Sequence, residues 1–103
     1  KAVSVNQDNS MEDIRDAIAV AITEVSADGK GVIIVTDMFG GTPANVSMTF
    51  LEPQSVEVLT GVNLPMLLKF FNSQESLALD ELAAILKSYG QQSIALASEY
   101  LNR

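Results

Sequence analysis

Five consecutive apolar or β-branched residues, Val32–Thr36 in "GVIIVTDMFGGTP", run straight into a carboxylate, Asp37, and then into a double glycine, a threonine and a proline. An unbroken run of this kind has no polar side to give to water, so it suits a strand covered on both faces, as parallel strands are. Gly40 and Gly41 read as a sharp turn, with Thr42 as N-cap and Pro43 in the first turn of a helix. That helix is expected through about Leu51, where Glu52 and Pro53 stop it. Strand, tight turn and helix in this order begin a parallel crossover. They leave Asp37 at the carboxyl end of the strand, where open α/β sheets bind ligands.

The flanking sequence extends the pattern. Residues 1–5, "KAVSV", followed by the polar "NQDNS", read as a strand leaving for a turn. Ser10, with Asp13 three residues on, forms a helix-start signature, and Ile14, Ile18, Ala21, Ile22 and Val25 recur at the spacing of one buried helix face. "SADGKG" ends that helix, and "SVEVLTG" restores strand character. In "VNLPMLLKFFN", Asn63 can cap and Pro65 sits in the first turn; Met66, Leu67, Phe70 and Phe71 read as core. In "LALDELAAILKSYG", Leu79, Leu82, Ala83, Leu86 and Tyr89 keep a helical stripe, and Gly90 either ends the helix or kinks it toward "SIALASEYL". The expectation is an α/β fold, a mostly parallel open sheet with helices on both faces, in a single domain over residues 1–103. It places "TDMFGGTP" and "TGVNLP" side by side at one end of the sheet.

Composition narrows the function. A chain of 103 residues with 48% apolar content fits one core. A net charge of −7 with six basic residues argues against nucleic acid or an anionic membrane surface as partner. Without cysteine there is no disulfide or thiol chemistry, which is compatible with a reducing cytosol; without histidine there is no imidazole base or ligand. The longest strongly apolar stretch falls far below the roughly 18–20 residues of a spanning helix, and no charged-then-apolar leader opens the sequence. A cytoplasmic location is the expectation. Glu12, Asp13 and Asp16 read as solvent-side acids near a helix start rather than a metal cluster, and neither a metal nor a cofactor is expected.

The loop admits several chemistries. Gly40 and Gly41 permit positive φ and close backbone approach, and the helix after them offers open N–H groups to an anion such as phosphate. "GGTP" lacks the phosphate-loop lysine and the dinucleotide glycine spacing, so a plain turn with a capping threonine reads equally well. For Asp37 three roles compete. It orients an imidazole, it accepts a phosphoryl group itself, or it caps the turn.

"GVIIVTDMFGGTPANVS", then "VEVLTGVNLPML", then "LALDELAAILKSYGQQSI" resemble, in that order, the mannose-family IIA component of the bacterial phosphoenolpyruvate-dependent sugar phosphotransferase system (fructose/mannose type). The resemblance covers nearly the whole chain. It implies the mannose-type IIA fold, a homodimer, and a phosphoryl relay from the phosphocarrier HPr to a IIB component, with the membrane met only indirectly through the transport complex. It also implies an opening strand ending in "T-H-G" or "S-H-G", followed by a helix, ahead of "KAVSV". By resemblance, then, this sequence lacks the acceptor histidine together with its strand. The resemblance assigns Asp37 to orient that histidine, with Thr42 as its catalytic companion; Gly40, Gly41 and Asn45 hold phosphoryl oxygens. Met38, Phe39, Pro43 and Asn63 fall to partner binding, with core burial the alternative for Met38 and Phe39 and a helix cap the alternative for Asn63. Rival functions are a phosphorylation-silent or regulatory module of the same fold, the phosphocarrier of a dihydroxyacetone kinase, and a receiver-like domain phosphorylated on Asp37.

Overall fold

The computed structural model describes residues 2–4, 8–73 and 77–101. Ser10 opens the first helix, α1 (Met11–Val25): its Oγ accepts from the Asp13 N–H at 3.0 Å, and Asp13 Oδ2 accepts from the Ser10 N–H at 3.3 Å. The reciprocal pair satisfies two of the donors that a helix start leaves open, as the Ser-x-x-Asp spacing predicts. A 3₁₀ turn, Ser26–Asp28, and Gly29 at φ +74° end α1 and lead into β1 (Val32–Thr36). Then come α2 (Thr42–Met48), β2 (Val56–Thr60), α3 (Leu64–Asn72), α4 (Leu79–Gln92) and a short α5 (Ala97–Leu101).

β1 and β2 pair in parallel, Val32 with Val56 through Thr36 with Thr60. Neighbouring strand residues point to opposite faces, and here each face feeds its own core. Ile34 packs against the cluster of Ile14 and Ile18 of α1 and Val46 of α2; Ile33 packs against the cluster of Leu59, Met66 and Leu86 on the α3–α4 side. Helices therefore cover both faces, as expected of this element order. Leu86 is 1% exposed, and burying a leucine so fully contributes about 1.5–3 kcal/mol.

Several expectations need correction. Residues 2–4 form no strand, because nothing in the described chain pairs with them; Lys1 and Val5 lie outside the described residues. β1 is not covered on both sides along its length: Val35 is 40% exposed, and among the described residues the strand has a neighbour on one edge only. Gly41, extended at φ −81° and ψ 167°, is the N-cap of α2, which makes Thr42 the first helical residue and leaves its side chain out of the cap. α2 stops at Met48, short of Leu51, because Thr49, Phe50 and Leu51 bond to carbonyls three residues back and Thr49 Oγ1 adds a bond to the Val46 carbonyl at 2.6 Å. Phe70 and Phe71 are not core: they are 44% and 77% exposed, and Met66 is the α3 residue that enters the core cluster with Leu59 and Leu86.

In the other helical stripes, Val25 and Tyr89 are also exposed, at the ends of their helices, and Tyr89 instead lies beneath the Lys69 ammonium, 5.2 Å from ring centre to Nζ. Gly90 does not end α4, which continues through Gln92.

Candidate functional site

The two loops meet at the carboxyl ends of the strands. The register puts Thr36 opposite Thr60, and the Val62 N–H donates to the Thr36 carbonyl at 3.0 Å, tying the loop after β2 to the end of β1. Asp37 leaves β1 immediately beyond that tie. Its carboxylate is exposed and makes no hydrogen bond or ion pair with a described residue. A carboxylate at a strand end is bonded, paired or open to solvent; this one is open, and the turn-cap role has no hydrogen bond behind it.

Gly40 takes φ +87°, and nothing lies within 4 Å of where a Cβ would stand. Conformation rather than crowding selects glycine there. Gly41 accepts the Asn45 N–H at 2.9 Å through its carbonyl, and Asn45 Nδ2 donates to the Gly40 carbonyl at 3.4 Å. Asn45 thus closes the turn from inside α2. A Cβ on Gly41 would sit 3.7 Å from both Met38 Cγ and Pro43 Cδ, so these two side chains flank the glycine. In the first turn of α2, Pro43 has no N–H, and helical geometry leaves those of Thr42 and Ala44 without partners inside the helix. The exposed Thr42 hydroxyl makes no hydrogen bond with a described residue. Asp37, Gly40, Gly41 and Thr42 therefore lie along one turn with a free carboxylate, open N–H groups and a free hydroxyl.

Met38 and Phe39, 60% and 71% exposed, stand out beside this turn, which excludes burial in the core. Asn63 is placed differently. Its Oδ1 accepts from the Met66 N–H at 3.0 Å, capping α3, and its Nδ2 donates to the Gly90 carbonyl at 2.9 Å, tying α3 to α4. Both ends of the amide are engaged within the fold.

Sequence reasoning passed over Thr36. It is 8% exposed, and its Oγ1 is buried without a hydrogen-bond partner among the described residues. The signal was present, since Thr36 is the sole hydroxyl in the run "VIIVT". Among the described residues no three His, Cys, Asp or Glu side chains gather to hold a metal ion, and no helix is long and apolar enough to cross a membrane.

Residues 1–87 match the family described as "PTS system fructose IIA component". The chain is 42% identical over 73 residues to the PTS system fructose-specific EIIA component of Bacillus subtilis, a match that covers 70% of this chain and 50% of that protein. It is 33% identical over 67 residues to the PTS system mannose-specific EIIAB component of Escherichia coli, covering 63% of this chain and 21% of that one. The chain thus spans about half the length of the first relative and about a fifth of the second. Among solved structures, the mannose/sorbose-specific IIA subunit from Enterococcus faecalis superposes with a TM-score of 0.78 at 31% identity, over 91% of this chain and 70% of that one. The EIIA component from Streptococcus agalactiae superposes with a TM-score of 0.72 at 29% identity, over 90% and 72%. The parallel strands and flanking helices superpose on a mannose/sorbose-specific IIA subunit, and the chain belongs to the fructose/mannose IIA family of the sugar phosphotransferase system.

Proposed function

We propose that this chain carries the acidic and anion-binding half of a phosphohistidine relay site, taking a phosphoryl group from HPr and passing it to a IIB component. The observation that carries the reading is the free, exposed carboxylate of Asp37 at the end of β1, beside the open donors of the turn Gly40–Gly41–Thr42. In the relay, the N–P bond of phospho-HPr breaks as an N–P bond to the acceptor imidazole forms; the second transfer repeats this toward IIB. Asp37 accepts a hydrogen bond from the far ring nitrogen, which holds the tautomer that leaves the near nitrogen nucleophilic. Charge on the phosphoryl oxygens during transfer is met by the N–H groups at the start of α2 and by the Thr42 hydroxyl. Gly40, Gly41 and Asn45 hold the turn in the shape that exposes those donors.

The sequence has no histidine, so the imidazole comes from polypeptide outside residues 1–103. Met38, Phe39 and Pro43 form the apolar contact for the protein partners, and Asn63 serves that surface by anchoring the neighbouring loop. A homodimer and a cytoplasmic location belong to the same proposal.

The test is incubation of the full-length product with phosphoenolpyruvate, enzyme I and HPr, followed by intact mass. One added phosphate, stable to hydroxylamine and labile to acid, is the expected result. No added phosphate points to the silent module, and a hydroxylamine-sensitive, magnesium-dependent label on Asp37 points to the receiver-like reading.

A further inference from the structure

We propose that Asn63 is a positioning residue for phosphoryl transfer: through the loop after β2 it fixes the peptide that carries Asp37, and so sets where the carboxylate points. The role rests on the phosphohistidine reading of the site; the linkage itself is argued from hydrogen bonds within the fold.

The Asp37 carboxylate makes no hydrogen bond or ion pair with a described residue, so its direction follows from the backbone beneath it. A group that orients an imidazole has to be held within about 0.5 Å of the productive geometry. The peptide joining Thr36 to Asp37 is planar. The Val62 N–H donates to its carbonyl at 3.0 Å, and that bond orients the Asp37 nitrogen at the other end of the same plane. Strand pairing stops at Thr36 and Thr60, which leaves this bond as the tie between β1 and the loop beyond β2.

What holds Val62 is the α3–α4 layer. Gly61, at φ +77° with open space around it, lets the chain turn back toward β1. The Val62 side chain packs against the cluster of Leu59, Met66 and Leu86. Asn63, next in the chain, is anchored twice: Oδ1 accepts from the Met66 N–H at 3.0 Å, and Nδ2 donates to the Gly90 carbonyl at 2.9 Å. Helix capping needs only the first bond. A direct partner contact would need a free amide, whereas this one is half-buried with both ends engaged. A Cβ at residue 90 would stand 2.8 Å from Met66 Cε and 3.4 Å from Asn63 Oδ1, so the second bond also depends on α4 presenting bare backbone there.

Gly90, Asn63, Val62 and Thr36 thus form a continuous support that ends at the acid. Loosening it lets the Thr36–Asp37 peptide rotate, and a misplacement of about 1 Å at a reacting centre costs about 10²-fold in rate.

Asn63→Asp in the full-length product tests the role, since it keeps the cap and removes the donor to Gly90. Phosphate uptake from phospho-HPr at varied concentration and hydrogen exchange of the Val62 amide by NMR are the readouts. We expect kcat to fall about tenfold or more with KM within about twofold of the parent, and the Val62 amide to exchange about tenfold faster or more. In the Asp37→Asn background the same change is expected to lower kcat by less than about twofold, because a residue that acts through Asp37 has nothing left to position. Full additivity overturns the proposal. So does a raised KM with kcat intact, which makes Asn63 a partner contact. Faster Val62 exchange with parental kcat, or a lower kcat with parental exchange, breaks the link from loop to acid and overturns it too. Ile14→Val, in the core on the other face of the sheet, controls for stability; its kcat is expected to stay parental, and an equal loss there overturns positioning in favour of general loosening. Where Asn63→Asp does not fold, Gly90→Ala disturbs the same tie from α4 with Asn63 in place and is read by the same criteria. A parent protein that takes up no phosphate overturns the phosphohistidine reading and the proposal with it. A parent that takes it up, beside an Asn63→Asp protein of parental kcat, overturns the proposal alone.

Discussion

Asn63 and Gly90 are joined across the α3–α4 crossing by a side-chain to main-chain hydrogen bond of 2.9 Å, at a point where a Cβ on Gly90 would stand 2.8 Å from Met66 Cε and 3.4 Å from Asn63 Oδ1. One amide thus caps a helix and fixes a neighbour, and the absence of a side chain at residue 90 lets the two helices come this close. As a cap alone, Asn63 is replaceable by Asp, which ranks equally at that position. As a tie it is not, because Asp supplies no donor and sets a carboxylate against the Gly90 carbonyl. Asn63→Asp is therefore expected to destabilise the protein by about 1–3 kcal/mol, no less than Asn63→Ala. Urea unfolding of both variants checks this, and an Asp variant as stable as the parent would show that the bond to Gly90 contributes nothing.

The two glycines of the turn separate by conformation. Gly40 sits at φ +87° with open space around it, so Gly40→Ala is strained whatever the room, at a cost of about 1–2 kcal/mol. Gly40→Asn is expected to cost less, since asparagine visits that region more readily. Gly41 has φ −81° and its nearest atoms at 3.7 Å, so Gly41→Ala is expected to cost less than about 1 kcal/mol, chiefly a weaker N-cap. Thermal unfolding of the three variants gives the order directly, and a Gly41 variant less stable than Gly40→Ala would contradict it.

These contrasts mark what could be read from residues alone. The capping box of α1, β1 within "VIIVT" and the α3 cap at Asn63 were legible because each signal is local. The meeting of the two loops was legible from the parallel order of the elements. The start of α2 was displaced by one residue because an extended glycine caps nearly as well as threonine, and only the chain direction after Asp37 decides between them. The exposure of Phe70 and Phe71 was hidden because a helix apolar on more than one side does not reveal which side meets the sheet; Met66 and the crossing at Gly90 settle that by packing. At the site, Asp37 was conspicuous as an acid closing an apolar run, whereas the orphaned hydroxyl of Thr36 depends on what lies beside β1, which no local pattern encodes.

Phe39 separates docking from folding. Its ring is 71% exposed, so Phe39→Ala removes almost no buried area and is expected to change stability by less than about 0.5 kcal/mol. If the ring is an anchor for HPr or IIB, the same change costs about 1–2 kcal/mol of association, or roughly five- to thirtyfold in KM for the protein substrate, with kcat nearly intact. Steady-state transfer from phospho-HPr at varied concentration distinguishes the cases. An unchanged KM would place the docking surface elsewhere, with the exposed Leu64, Leu68 and Phe71 on α3 as the next face to examine.

Asp37→Asn carries the sharpest expectation, because the structure divorces its two possible effects. The carboxylate is exposed and holds no described residue in place, so the fold has nothing to lose and the midpoint of unfolding should stay within about 0.5 kcal/mol of the parent. The chemistry has much to lose. Asparagine presents an amide that accepts a hydrogen bond but brings no charge to an imidazolium, and its NH₂ can stabilise the wrong tautomer. Losses of about 10²–10⁴ in transfer rate accompany the removal of such an orienting acid. Rapid-quench measurement of phosphate uptake from phospho-HPr, beside urea unfolding of the same preparation, reads both quantities. A stable Asp37→Asn protein that accepts phosphate at the parental rate would take Asp37 out of the relay, and with it the observation on which that reading stands.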